Sequence, residues 1–168
     1  MNDFFPTPAQ SFDPILDHIG NGWMLISASD GKHTNTMTAS WGGCGVLWNL
    51  PVALCWIRPE RFTYGIIEAA DYFSLSFLDE KHRNALRFCG THSGKETDKF
   101  AAAGLTCRHT EMGVPFPDEA LRVLICRKLY AAPLHADGFC DSSLLSHYQN
   151  GGMHKTFIGE IVTVLNKR

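Results

Sequence analysis

The sequence predicts a mainly β protein, a closed antiparallel barrel with short helices packed around it. Residues 52–58 form an apolar run with β-branched and aromatic members, bracketed by Pro51 and Pro59 and too short for a buried helix. Residues 72–78 alternate Phe73, Leu75 and Phe77 with Ser74 and Ser76, the period of a strand. Helical segments are short and do not alternate regularly with strands, which argues against a doubly wound parallel sheet. Closing an antiparallel sheet on itself removes its exposed edges.

The elements follow in order. Residues 1–20 read as an arm or short helix: Asp13 can cap, Pro14 suits the first helical position, and Ile15, Leu16 and Ile19 give a small apolar face. Gly20-Asn21-Gly22 stops it. Residues 23–29 read as a strand, closed by the turn Ser29-Asp30-Gly31-Lys32. Phe62, Ile66 and Ile67 fall on one face of a helix over 62–70. Residues 80–88 and 96–103 are helical by composition, with Gly94 between them and Gly104 as a stop. Residues 121–134 are too long for one straight strand, so a bend or bulge is expected. Ile158, Ile161, Val162, Thr163 and Val164 mark a final strand over 157–165.

At 168 residues, without repeat or low-complexity linker, the chain is expected to be one domain over 1–168. It is 45% apolar and 19% charged, a globular profile. A net charge of -2 supplies no basic field for nucleic acid or an anionic membrane. The apolar runs are too short or broken to span a bilayer. Cys44, Cys55, Cys89, Cys107, Cys126 and Cys140 include no Cys-x-x-Cys pair, and several sit within apolar runs, as reduced core thiols do. Residues 1–12 lack the apolar stretch of a secretory leader, so a cytoplasmic protein is expected. Cys89-Gly-Thr-His92 has ligand-like spacing but no second half, and no metal site is predicted.

Three segments carry possible chemistry. In Asn35, Thr36, Met37, Thr38, Ala39, Ser40 and Trp41, short hydroxyl and amide groups lie beside apolar walls. That is what a flat heteroaromatic ligand with a polar edge requires. The same segment also reads as a polar strand running into a glycine-rich turn, Gly42-Gly43-Cys44-Gly45. In Arg58-Pro59-Glu60-Arg61-Phe62-Thr63, two arginines and a helix start can hold a phosphate. A solvated loop with Glu60 neutralising one arginine is the alternative. Ser93-Gly94-Lys95 is a helix-start turn with free amides, and Lys95 and Lys99 are expected on one helical face at i, i+4. It can be an anion site or a capped surface helix. Gly90 and Gly94 are one residue too close for a nucleotide-triphosphate loop, and Glu96 follows Lys95 where that loop needs Ser or Thr. No dinucleotide fingerprint, zinc-protease motif or nucleophile elbow occurs.

Taken in register, these segments with Trp48-Asn49-Leu50-Pro51, Asp98-Lys99-Phe100 and Phe157-Ile158-Gly159-Glu160-Ile161 resemble the flavin reductase-like, FMN-binding split-barrel family from about residue 20 onward. Trp41-Gly42-Gly43 favours its flavoredoxin branch. The resemblance implies a six-stranded antiparallel Greek-key split barrel, usually homodimeric, holding FMN without a covalent bond. It implies that Asn35 to Trp41 meet the ring, and that Arg58, Arg61, Thr63, Ser93, Gly94, Lys95 and Lys99 lie on the phosphate side. His154 matches a histidine common near the flavin in relatives; it also reads as a half-exposed strand-edge residue. The implied activity is electron transfer from NADH, NADPH or a redox protein through FMN to an acceptor. The rivals are an electron carrier with no nicotinamide activity and a ligand-binding barrel that has lost the flavin.

Overall fold

In the computed structural model, which describes residues 14–167, α1 (Pro14–Gly20) leads through Asn21 to Trp23 into β1 (Met24–Ser29). The suggested cap at Asp13 lies outside the described residues. The Asp30 carboxylate accepts the backbone N–H groups of Lys32 and His33, which closes the expected turn. β2 (Thr34–Ala39), β3 (Gly42–Leu47) and β4 (Leu50–Ile57) follow, then α2 (Phe62–Ala69) and β5 (Tyr72–Phe77). A 3₁₀ turn at Glu80–His82 opens α3 (Arg83–Thr91), and the four-residue α4 (Lys99–Ala102) comes next. The chain ends with β6 (Cys107–His109), β7 (Pro115–Pro117), β8 (Arg122–Pro133) and β9 (Lys155–Asn166).

The main sheet is antiparallel throughout, in the order β2-β1-β5-β8-β9-β4-β3, and β6 and β7 make a separate hairpin. It has seven strands rather than the six expected, because residues 42–47 are strand and not a glycine-rich turn. The reversal comes at Trp48 and Asn49, whose φ values of 54° and 58° make the two-residue turn that matches strand twist. Gly42 is needed for close packing: a Cβ there would lie 2.7 Å from Met24 Cε and 2.9 Å from the Leu54 carbonyl oxygen. β8 bends where expected, with register shifts at Ile125/Cys126 and Lys128/Tyr130 against β9.

Alternate residues of distant strands meet in one core. Ile26 of β1, Ile57 of β4, Phe73 of β5 and Phe157 of β9 join Ile66 and Ile67 of α2. Met24 of β1 also packs against Gly42 of β3, although the two strands lie near opposite ends of the sheet order, so the sheet curls on itself. The other face of β1 is covered by α3 and α4 through Leu25, Leu86, Cys89 and Phe100. Ser74 and Ser76 of β5 are buried rather than facing water; the β6–β7 hairpin covers that face, and Ser74 donates to the Pro115 carbonyl at 2.6 Å.

The helix expected over 96–103 is shorter. Asp98 accepts the N–H groups of Phe100 and Ala101 and starts the helix itself, so residues 96–98 stay outside it. Lys95 and Lys99 therefore do not share a helical face.

Candidate functional site

Two clefts meet at Arg61. The first, of about 230 Å³, is lined by Met37, Thr38, Ala39, Ser40 and Trp41, with Trp56, Arg58 and His154 opposite. The second, of about 200 Å³, is lined by Glu60, Thr63, Thr91, His92, Ser93, Gly94 and Lys99. Arg61 lines both. The sheet explains the first grouping. Cys55 and Ile57 of β4 point into the core, so Trp56 and Arg58 share the opposite face and look outward together.

Thr63 of the second cleft is held from behind by buried Asn35, whose Nδ2 donates to Thr63 Oγ1 at 2.9 Å. Gly94 packs directly on that amide: a Cβ at 94 would stand 2.3 Å from Asn35 Oδ1. Two cations converge beside it on the end of α3. Arg61 Nη1 donates to the Gly90 carbonyl at 2.8 Å, and Lys99 Nζ donates to the Cys89 carbonyl at 2.7 Å. A helix C-terminus carries only a partial negative charge, so it orients these cations without neutralising them. No ion pair among the described residues involves either one. Lys99 is only 3% exposed, and burial, followed by repulsion from Arg61, pulls its ammonium down to about 8. Burial also lowers the Arg61 guanidinium. Unpaired, partly desolvated positive charge facing a small polar cleft is the arrangement of an anion receptor.

The structure divides the other candidates. Thr36 turns away from both clefts and takes part in a buried hydroxyl pair with Ser27 at 2.9 Å, while the Thr38 hydroxyl donates to the Leu86 carbonyl of α3. Arg58 and Arg61 both line the first cleft but are anchored differently: Arg58 Nη2 donates to the His147 carbonyl at 2.7 Å, and its guanidinium sits over the Tyr148 ring. Ser93 enters the second cleft and accepts the Lys95 N–H, but Lys95 lies outside it. Glu60 accepts the Gly152 N–H, which holds its carboxyl below the usual range and ties the 149–153 loop to the Arg58 turn.

Sequence reasoning missed Trp56, His147 and Tyr148. The alternation of β4 carried the signal for Trp56. His147 and Tyr148 lie on the long β8–β9 connection, which has no periodicity to read. Trp41 packs on His147 and His154 with ring centroids 5.6 and 5.0 Å away, and His154 Nδ1 lies 3.1 Å from the Tyr148 hydroxyl. Burial, then the nearby Arg58 guanidinium, pull His154 down to about 4, so it is neutral at pH 7. An unfolded histidine titrates near 6.5, so between pH 6.5 and 4 the unfolded chain holds the extra proton. The stability due to neutral His154 is present above pH 6.5 and is lost as the pH falls toward 4. Urea midpoints measured from pH 7 to 4 should fall, and a His154→Gln variant should fall less steeply.

The sequence matches the flavin reductase-like domain over residues 16–168, and the chain belongs to that family. The fold is also that of flavoredoxin from Methanosarcina acetivorans, 20% identical with a TM-score of 0.71 over 88% of this chain and 69% of that one. The FMN-binding protein of Thermus thermophilus, solved with p-hydroxybenzaldehyde, is 23% identical, with a TM-score of 0.68 over 86% and 71%. The NADH:FAD oxidoreductase of Streptomyces globisporus C-1027 is 21% identical, with a TM-score of 0.66 over 95% and 88%. A search of curated proteins finds no match.

Proposed function

We propose that this chain is an FMN-binding oxidoreductase of the flavin reductase and flavoredoxin type. The observation that carries the reading is the pair of unneutralised cations, Arg61 and Lys99, in a cleft that opens onto an aromatic-walled one. A ligand with a flat heteroaromatic end and a phosphate end matches both halves. Met37, Thr38, Ala39, Ser40 and Trp41 line the ring side, with Trp56, Arg58 and His154 opposite. Arg61 joins the two halves, the Asn35–Thr63 pair supports the second from beneath, and Arg61, Ser93, Gly94 and Lys99 take the phosphate. FMN, once bound, supplies the redox chemistry, accepting a hydride or electrons and passing them to an acceptor. The protein's part is to orient the ring, exclude water with Trp41 and Trp56, and keep a neutral imidazole at its rim; no acid or base is needed for hydride transfer.

Visible spectra under anaerobic conditions test the activity. With FMN bound, bleaching by NADH or NADPH establishes a reductase and identifies the donor. Bleaching by dithionite alone makes the chain a carrier that waits for a redox protein. The cationic form of Lys99 is the one that attracts phosphate, so FMN affinity should hold near pH 7 and weaken as the pH rises through about 8, where this ammonium deprotonates. Flavin fluorescence titrations from pH 7 to 9.5 check this, and a Lys99→Arg variant should flatten the profile.

We also read the chain as a single cytoplasmic domain acting as a homodimer, without a nucleic-acid or membrane partner. Among the described residues no helix is long and apolar enough to cross a membrane. β3 is an edge strand whose end leaves Val46, Leu47 and Trp48 exposed, which supports pairing with a second copy. A Trp48→Glu variant should sediment as a monomer.

A further inference from the structure

Tyr148 lines neither cleft, yet it touches two residues that line the first. Its hydroxyl lies 3.1 Å from His154 Nδ1, and the Arg58 guanidinium stands over its ring, 5.5 Å from the centroid. The tyrosine is fixed twice more. Phe139 meets its ring at a steep angle with centroids 5.9 Å apart, and Arg58 also holds the preceding carbonyl, that of His147. The loop that carries Tyr148 closes at His154 itself, whose carbonyl accepts the Leu134 N–H at 2.8 Å. His154 is thus held between Trp41 and Tyr148, with its two ring nitrogens in unequal surroundings.

A neutral imidazole carries one hydrogen, and the bond made by one nitrogen decides which of the two carries it. Burial and the Arg58 guanidinium keep His154 neutral at pH 7. The Glu60 carboxylate opposes them as the smallest of the three effects, and it is engaged by the Gly152 N–H. A phenol is a stronger acid than a neutral imidazole N–H, and an imidazole nitrogen accepts better than a phenol oxygen. The Tyr148 O–H therefore donates to Nδ1, which places the imidazole hydrogen on Nε2. Among the described residues Nε2 has no hydrogen-bond partner, and the ring lines the first cleft.

We infer that Tyr148 is a positioning residue: it holds His154 in one orientation as the Nε2–H tautomer, which gives the first cleft a neutral hydrogen-bond donor for the nitrogen and carbonyl edge of a bound flavin. That edge gains negative charge on reduction, so a fixed donor binds reduced flavin more tightly than oxidised flavin and raises the potential. The inference rests on the flavin reading of the cleft and adds the residue that sets this donor.

Long-range proton–nitrogen NMR of the histidine rings, in the flavin-free full chain at pH 7, reads the tautomer. His154 should carry its hydrogen on Nε2, and Tyr148→Phe, which keeps the ring and removes the hydroxyl, should bring the Nδ1–H form into view. Anaerobic redox titration of bound FMN then gives the ratio of reduced to oxidised affinity. Tyr148→Phe should lower that ratio about threefold to fivefold, a fall of ~15–20 mV in the two-electron potential. In a His154→Ala background the same substitution should leave the ratio unchanged, because Tyr148 acts through the imidazole. An imidazole hydrogen on Nδ1 in the unsubstituted chain, a potential unmoved by Tyr148→Phe, or an equal shift without His154 overturns this inference and leaves the flavin reading intact. A chain that shows the Nε2–H form but binds no FMN overturns the flavin reading, and with it the role inferred for the donor.

Discussion

An Arg61→Ala variant is expected to lose about a hundredfold in FMN affinity while its riboflavin affinity changes far less. Arg61 is half-buried, lines both clefts and is fixed by the Gly90 carbonyl at 2.8 Å, so its remaining N–H groups are held in place when an anion arrives. A hydrogen bond to a charged partner contributes ~1.5–3 kcal/mol, and a bidentate phosphate contact in a partly desolvated cleft lies at the upper end. Every ~1.4 kcal/mol is a factor of ten. Riboflavin has the ring but no phosphate, so the ratio of the two affinities isolates the anion contact from damage to the fold. Parallel isothermal titrations of the two flavins give that ratio. Equal losses for both would place Arg61 outside the phosphate contact.

A Gly94→Ala variant is expected to weaken FMN binding at least tenfold in a protein that still folds. The added Cβ would lie 2.3 Å from Asn35 Oδ1 and 2.7 Å from its Nδ2. Asn35 is 3% exposed and already committed to Thr63, so it cannot swing aside without breaking that bond. Overpacking of this kind costs ~1–3 kcal/mol, and here the displaced group, Asn35, supports Thr63 of the cleft wall. Trimming the obstacle should restore part of the loss: the Gly94→Ala, Asn35→Ala double variant should bind FMN less badly than the two single losses predict when summed. A double-mutant cycle on FMN affinity reads the coupling, and strict additivity would mean that Gly94 and Asn35 act separately.

Much of the fold could be read because the strands that build the core announce themselves. β4 and β5 carry short apolar or alternating runs between breakers, and the length of β8 gave away its bend. β3 was illegible because Gly42, Gly43 and Gly45 look like a turn, although Gly42 lets the strand lie against Met24 and Leu54. Its true turn, Trp48-Asn49, lacks the usual glycine. The three-residue strands β6 and β7, with prolines at 115 and 117, offer no period to count.

For the site, residue types were informative and geometry was not. Arg58 and Arg61 stand three positions apart, yet one follows the outward face of β4 toward Tyr148 and the other turns in at the start of α2 toward the end of α3. Composition could not separate them, nor could it show that Asp98 caps the helix, keeps residues 96–98 outside it and leaves Lys95 out of the cleft that Lys99 lines. Thr36 and Thr38 carried the right chemistry for a ligand, but their hydroxyls go to Ser27 and Leu86.

The most direct measurement is equilibrium dialysis of the purified chain against FMN, read by visible absorption. The account predicts saturation at one FMN per chain, with flavin bands perturbed from those of free FMN by the Trp41 and Trp56 walls. Flavin that distributes equally across the membrane, with an unperturbed spectrum, would contradict it.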